Sequence, residues 1–132
     1  MFNTHQIQGI LLSSARPELT IYRNDKKNLG YEVRVRVFFR ADNGEFLMLL
    51  KDALDELNVT CQFRDKESKV RPKPVLWVSG INNLLTLCRL VPSLPDSKNQ
   101  WAPFIIAIDL ICDGEHTTQE GLDRLLTLKG AL

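Results

Sequence analysis

Lysine and arginine side chains, which can bind phosphate groups, are concentrated in two stretches of this 132-residue chain. Residues 16–40 hold seven basic side chains against three acidic ones, and residues 59–75 hold five against two. The two stretches carry 12 of the 17 basic residues but only 5 of the 16 acidic ones, although the net charge of the chain is only +1. Clustered cations neutralise the phosphates of a polyanion. The charge distribution therefore points to a nucleic-acid partner.

The other reactive side chains form no recognisable catalytic arrangement. The two histidines, His5 and His116, stand in no Ser/His/Asp context, and the sequence has no glycine-rich phosphate loop and no Cys-x-x-Cys pair. We interpret His116 as a structural residue of a turn. The three cysteines are odd in number and widely separated, so we expect them to be buried reduced thiols; they are Cys61, Cys88 and Cys112.

Length and composition favour a single globular domain over residues 1–132 with one hydrophobic core. No apolar run approaches the roughly 20 residues that span a bilayer, and no signal peptide is recognisable. We therefore expect an intracellular protein of the cytoplasm, nucleoid or an organelle, without a membrane partner.

The periodicity of apolar residues predicts an α+β fold with the order α-ββ-α-ββ-α-α-α and a four-stranded antiparallel sheet. The predicted hairpins pair 19–24 with 31–40 and 59–65 with 74–79. The predicted helices cover about 3–15, 45–57, 80–91, 98–112 and 117–129.

Alternation within residues 31–40 (YEVRVRVFFR) separates charged from apolar side chains. One face receives Glu32, Arg34, Arg36 and Arg40, and Phe38 falls on the same face without an assigned role. A two-stranded ribbon of this kind can enter the major groove of DNA. We expect further contacts to bases and phosphates from the neighbouring strands and the second loop, through Tyr22, Asn24, Gln62, Arg64, Lys69, Arg71 and Lys73.

Two separate stretches resemble the LAGLIDADG homing endonucleases. Residues 7–15 (IQGILLSSA) lie over the nine-residue motif that names the family, with Gly9, Ile10 and Leu11 matching. Residues 114–122 (GEHTTQEGL) resemble the family's C-terminal G-E-H-x-T-x-E-G-L stretch. The intervening segments follow in the family's order, so the resemblance covers nearly the whole chain. It implies the family's fold, with a sheet that binds double-stranded DNA.

The resemblance also implies a homodimer. In this family the motif helix packs against a second motif helix, and a chain with one motif must find that helix in another copy. Gly9 and Ser13 are four residues apart and small, so they lie on one helix face and allow close approach. Ile7 and Ile10 would flank this crossing. An isologous dimer of this kind would prefer a pseudo-palindromic DNA site.

The motif departs from the family at its catalytic positions. Family nucleases hold a divalent metal with an acidic residue near the end of each motif helix, but this sequence has Leu12 and Ser14 at the two aspartate positions. By resemblance, Lys98 would contact phosphate and Gln62 would take an outer polar position. We expect weak or absent cleavage and no cofactor, with Mg²⁺ required if nuclease activity remains. The alternatives are an active nuclease that uses Glu18 or another substitute carboxylate, and an RNA-binding intron-splicing maturase.

Overall fold

The computed structural model describes residues 1–92 and 100–132, and its α+β architecture confirms the predicted element order. Within these ranges the helices are α1 (Thr4–Ser13), α2 (Gly44–Glu56), α3 (Ile81–Leu90), α4 (Trp101–Cys112) and α5 (Gln119–Gly130). The strands are β1 (Ala15–Arg23), β2 (Tyr31–Arg40), β3 (Gln62–Arg64) and β4 (Val75–Ser79). A 3₁₀ turn over Glu115–Thr117 separates α4 from α5. None of these helices has the length and apolar character that crossing a membrane requires.

The four strands form one antiparallel sheet in the order β1-β2-β4-β3. Val37 of β2 lies opposite Pro17 of β1 on one side and opposite Val78 of β4 on the other. Because side chains alternate along a strand, this register sends one set to the helices and the other set away from them. We call the second side the open face. It comprises the even-numbered residues of β1, β2 and β3 and the odd-numbered residues of β4.

The hydrophobic core lies between the sheet and the helices. The sheet contributes buried Val37, Phe39, Leu76 and Val78, and the helices contribute Leu11, Leu50, Leu54, Leu84, Leu87, Phe104 and Ile108. Full burial of each large apolar side chain contributes about 1.5–3 kcal/mol. Trp101 donates its indole Nε1–H to the carbonyl oxygen of Leu11 at 2.8 Å. This bond joins the last turn of α1 to α4 and satisfies a carbonyl that the helix end leaves without a partner.

Two strands differ from their predicted bounds. β1 begins at Ala15, whereas the sequence predicts a start at residue 19. Pro17 is compatible with this strand because β1 is at the edge of the sheet, where a missing backbone N–H is tolerated. β3 covers three residues rather than 59–65. The backbone N–H of Thr60 donates to the side chain of Asn83 at 3.1 Å, so this part of the segment is bonded to α3.

The C-terminal stretch is a compact junction between α4 and α5. Gly114 has φ 76°, a left-handed conformation that glycine adopts without strain at a helix end. The Thr118 hydroxyl accepts a bond from the backbone N–H of Gly121 at 3.0 Å and caps α5. A Cβ atom at Gly121 would lie 1.8 Å from the carbonyl oxygen of Glu115. These contacts explain the residue types of the sequence GEHTTQEGL.

Candidate nucleic-acid interface

The open face carries most of the side chains predicted to contact DNA. β2 lies in the interior of the sheet, so its basic residues have side chains of a neighbouring strand beside them. On β1, Thr20 lies opposite Arg34 and Glu18 lies opposite Arg36. The predicted residues on this face are Tyr22, Glu32, Arg34, Arg36, Arg40, Gln62 and Arg64. Asn24 directly follows β1, and Lys69, Arg71 and Lys73 belong to the loop between β3 and β4.

Part of the open face forms a cleft of about 1000 Å³ that is rich in positive charge. Six basic and two acidic side chains line it; they are Arg16, Arg36, Arg40, Arg64, Arg71 and Lys129, with Glu18 and Glu67. A concave surface of one charge sign focuses the field on an anionic ligand. Arg16 was not predicted as a contact residue, because it falls between the helix predicted to end near residue 15 and the strand predicted to begin at residue 19. The same alternation that identifies the face of β2 would have assigned Arg16 if β1 had been extended to Ala15.

Four of the predicted residues form a hydrogen-bonded cluster on β1 and β2. The Tyr22 hydroxyl donates to Oε2 of Glu32 at 2.5 Å, and Asn24 Nδ2 donates to the same oxygen at 3.0 Å. Arg34 Nη2 donates to the Tyr22 hydroxyl at 3.0 Å. The bond from Tyr22 lowers the pKa of Glu32, and the same bond raises the pKa of Tyr22. Glu32 is thus an ionised acceptor that orders its neighbours.

A second cluster ties the loop between β3 and β4 to the end of β2. Arg40 donates from Nε and Nη2 to the two carboxylate oxygens of Glu67, at 2.7 and 3.0 Å. These bonds lower the pKa of Glu67 and raise that of Arg40. Arg71 adds a longer contact to Glu67 at 3.6 Å. Lys73 is held at 2.6 Å by Asp42, whose pKa the Lys73 bond lowers.

Two aromatic side chains lie among the arginines. Phe38 is opposite Trp77 in the register, and their rings stack with centroids 6.4 Å apart. We call these residues the aromatic pair. The alternation predicts Phe38 on this face but gives no partner for it. Trp77 has the same signal in β4, because it alternates with Leu76 and Val78, but its partner depends on pairing that the sequence does not reveal.

The end of the motif helix does not present a metal-binding donor set. Ser13 Oγ donates to the Gly9 carbonyl at 2.8 Å, and Ser14 offers only a hydroxyl. In the described part of the chain, no three acidic, histidine or cysteine side chains are grouped so that they could hold a metal ion. Mg²⁺ prefers anionic oxygen ligands. The residues at this position therefore do not fit the metal that the resemblance implies.

Of the other catalytic candidates, Glu18 lies away from the end of the motif helix. Glu18 is four residues beyond Ser14 along an extended strand, about 13 Å away, and half-buried on the open face. Gln62 lies on β3, at the opposite edge of the sheet from β1, and its role as an outer polar residue stays a prediction. Lys98 lies outside the described residues.

The four predicted dimer residues divide between the core and the surface. Ile7 is only 2% exposed and packs in the core of its own chain, so its prediction as an interface residue is wrong. Ile10 is half-buried, and Gly9 and Ser13 are exposed. No described atom lies within 4 Å of the place a Cβ would take at Gly9. The exposed part of α1 also includes Leu12, at 39% exposure.

The cysteines only partly follow the prediction. All three are free thiols, but Cys61 is buried, Cys88 half-buried and Cys112 exposed. Burial raises the pKa of Cys61 and of Cys88 to about 12, so both stay protonated at neutral pH. The prediction of burial is wrong for Cys112, which ends α4 on the solvent side. His116 lies half-buried in the 3₁₀ turn.

Solved structures of homing endonucleases share this architecture, although no protein-family model and no curated protein matches the sequence. The homing endonuclease I-TnaI has a TM-score of 0.79 at 14% identity, over 98% of this chain and 86% of that one. I-Vdi141I, an archaeal intron-encoded homing endonuclease complexed with DNA, has a TM-score of 0.81 at 21% identity, over 96% and 79%. The LAGLIDADG homing endonuclease I-LtrWI, bound to target DNA, has a TM-score of 0.81 at 18% identity, over 99% of this chain.

The chain thus has the fold of the LAGLIDADG homing endonucleases, which confirms at the level of fold the resemblance seen in residues 7–15 and 114–122. It spans most of I-TnaI but only 44% of I-LtrWI.

Proposed function

We propose that this protein is a sequence-preferring, double-stranded DNA-binding homodimer related to homing endonucleases, with weak or absent cleavage. The observation that carries the proposal is the open face. It combines a cleft lined by six basic side chains with the hydrogen-bonded cluster around Glu32, which suits phosphate neutralisation together with base-edge recognition. The neighbours I-LtrWI and I-Vdi141I, which share the fold, are bound to DNA in their solved structures.

The surface of α1 supports the dimer. Gly9 and Ser13 are small and exposed, so a second helix can approach α1 closely at this position. Leu12 and Ile10 offer apolar contacts beside it. Two copies related by a two-fold axis would place their open faces side by side. The DNA site would then consist of two inverted half-sites.

The serines at the end of α1 support weak or absent cleavage. A hydroxyl carries no charge at neutral pH, so two copies of Ser14 would not supply the anionic oxygens that Mg²⁺ requires. Lys98 would still bind phosphate without a metal. The protein would thus retain affinity for its site and lose turnover there.

Selection of bound sites from a random duplex pool tests the proposal. We expect enrichment of a pseudo-palindromic sequence with two half-sites. Absence of enrichment would contradict sequence-preferring binding, and preference for a structured intron RNA over duplex DNA would support the maturase alternative.

A plasmid that carries the selected site tests cleavage in the presence of Mg²⁺ or Mn²⁺. We expect it to stay intact over times in which a homing endonuclease cuts its target. Nicking that is lost in Glu18→Gln would show an active nuclease with a substitute carboxylate and contradict this part of the proposal.

A further inference from the structure

The aromatic pair occupies a place where a DNA-reading sheet would be expected to carry polar groups. Phe38 and Trp77 belong to adjacent strands of the open face, opposite each other in the register, and their rings are nearly parallel, at 29°. Phe38 is only 7% exposed although it points away from the core. Side chains on the open face itself must therefore cover it.

Two arginines cover Phe38, and a third lies over Trp77. The guanidinium carbons of Arg36 and Arg40 lie 4.9 and 4.7 Å from the centre of the Phe38 ring. Arg64 lies 5.5 Å from the ring of Trp77. A planar guanidinium is attracted to the negative face of an aromatic ring, and it keeps its N–H edges free to bond elsewhere. Each ring thus restricts the orientation of at least one arginine without using all of its donors.

The carboxylates of the open face add to this arrangement. Glu67 binds Arg40 through two hydrogen bonds, which fixes the guanidinium over Phe38 from one side. Glu18 lies opposite Arg36 in the register and acts electrostatically on Arg40. The mutual repulsion of the two arginines that flank Phe38 is thereby reduced, so both can remain near one ring.

Direct stacking of nucleobases on the aromatic pair is the competing interpretation. It requires an accessible ring face, as in single-strand-binding sheets. The ring of Phe38 is almost inaccessible, and the guanidinium groups lie over both rings. The arrangement fits arginines held ready for a duplex better than it fits rings that receive a base.

We infer that Phe38 and Trp77 are positioning residues, which orient Arg36, Arg40 and Arg64 for bidentate hydrogen bonds to guanine edges in the major groove. The inference rests on the proposed DNA binding and adds to it a source of specificity. Arg is suited to the O6 and N7 acceptors of guanine when its plane is correctly set. Loss of an aromatic ring leaves the charge of the neighbouring arginines in place and removes only the restraint on their orientation.

Affinities for two duplexes separate the effect of arginine orientation on binding from the effect of arginine charge. The probes are the duplex selected by the wild type and a scrambled duplex of the same composition. For Phe38→Leu and Trp77→Leu we expect affinity for the selected duplex to fall about tenfold, the order of one good base contact. Affinity for the scrambled duplex, and the salt dependence, should stay nearly unchanged because the number of neutralised phosphates is the same.

Matched variants exclude a general loss of structure. Phe38→Tyr keeps a ring and should restore most of the specificity. Phe46→Leu makes the same change in a half-buried phenylalanine that packs edge-on against Phe2, at 5.6 Å. It should leave the ratio of the two affinities unaltered. Thermal unfolding of each variant shows whether the fold persists.

A measurement without DNA tests the arrangement directly. The Nε–H resonances of Arg36 and Arg40 should be displaced by the ring current of Phe38 in the wild type, and Phe38→Leu should remove that displacement. If the wild type selects a site, two results would overturn this inference and leave the proposed function standing. One is arginine resonances that Phe38→Leu does not move, and the other is an affinity ratio that Phe38→Leu and Trp77→Leu do not change. A wild type that selects no duplex would overturn both.

Discussion

At the scale of single side chains, two carboxylates organise the basic open face. Glu32 accepts hydrogen bonds from Tyr22 and Asn24, and Glu67 accepts two from Arg40. Charge-assisted bonds of this length are strong and directional. An arginine that is already ordered loses less conformational entropy when it binds. We therefore expect both acids to improve recognition of a particular sequence, although they lower the net positive charge.

Acidification should release the loop that Glu67 holds. The bonds from Arg40 keep the pKa of Glu67 below its ordinary value of 4.5. A carboxyl group of this kind contributes stability above its ordinary pKa, and the contribution disappears as the pH falls through the lowered, folded-state pKa. Below about pH 4.5, the wild type should lose more of its unfolding free energy than Glu67→Gln, which lacks the titrating group.

Urea denaturation over a pH series measures this difference. At neutral pH we expect Glu67→Gln to be less stable by about 1 kcal/mol or less, as for a partly exposed ion pair. Glu56→Gln removes a comparable charge from the exposed end of α2 and serves as the control. Wild-type and Glu67→Gln curves that stay parallel down to acid pH would show that the Arg40–Glu67 pair contributes nothing.

The sequence predicts which side chains share the open face but not their partners. Strict alternation in 31–40 is a local property of one strand, and the register confirms its consequence. The contact between Phe38 and Trp77 requires pairing of β2 with β4, which α2, β3 and their loops separate along the chain. Because such pairing is set by the packing of the whole domain, the aromatic pair could not be predicted from either strand alone.

At the scale of elements, the junction between α4 and α5 depends on close approach of two backbones. Gly121 lies in the first turn of α5, directly against the carbonyl of Glu115 in the 3₁₀ turn. Gly130 lies in the last turn of the same helix, and no described atom is within 4 Å of its Cβ position. The two glycines therefore offer a matched pair of substitutions within one helix.

Gly121→Ala and Gly130→Ala should change stability in opposite directions. The first forces a methyl group against a backbone oxygen, and we expect a loss of about 3 kcal/mol, in the range of severe overpacking. The second improves helix propensity without a clash, and we expect a gain of up to about 1 kcal/mol. Chemical denaturation of both variants tests this. A Gly121→Ala protein as stable as the wild type would contradict the close approach.

The order of elements follows from sequence periodicity, whereas their ends depend on tertiary contacts. Residues 59–61 look like strand, yet Thr60 bonds to Asn83 of α3, and β3 is correspondingly short. Pro17 looks like a boundary, yet an edge strand accommodates it.

At the scale of the whole molecule, the proposed function relies on two surfaces, the basic open face and the exposed side of α1. The open face concentrates basic side chains, and α1 leaves Gly9 and Ser13 uncovered. Ile7 and Leu11 attach α1 to the core of its own chain, so its other side is available to a second copy. The proposed dimer would join the two open faces into one longer surface.

Gly9→Gln should disrupt the dimer without disrupting the fold. The side chain has open space in one copy, and glutamine favours a helix over glycine by about 0.5–1 kcal/mol. In a close helix crossing the same side chain would hold the two helices apart. Sedimentation equilibrium should therefore show a weaker dimer for Gly9→Gln than for the wild type. Gly130→Gln places the same residue at another open helical glycine, and equal dimerisation of both variants would remove Gly9 from the interface.

The salt dependence of duplex binding tests the central claim most directly. Affinity for the selected duplex would be measured over a series of salt concentrations for the wild type, Arg34→Gln, Arg16→Gln and Lys51→Gln, the last on α2 and paired with Asp55. Each open-face variant removes one cation from each copy of a dimer, so we predict weaker binding and a slope of log K against log salt that is shallower by about 2. Lys51→Gln should match the wild type. Slopes and affinities of Arg34→Gln and Arg16→Gln that equal the wild-type values would contradict DNA binding by the open face.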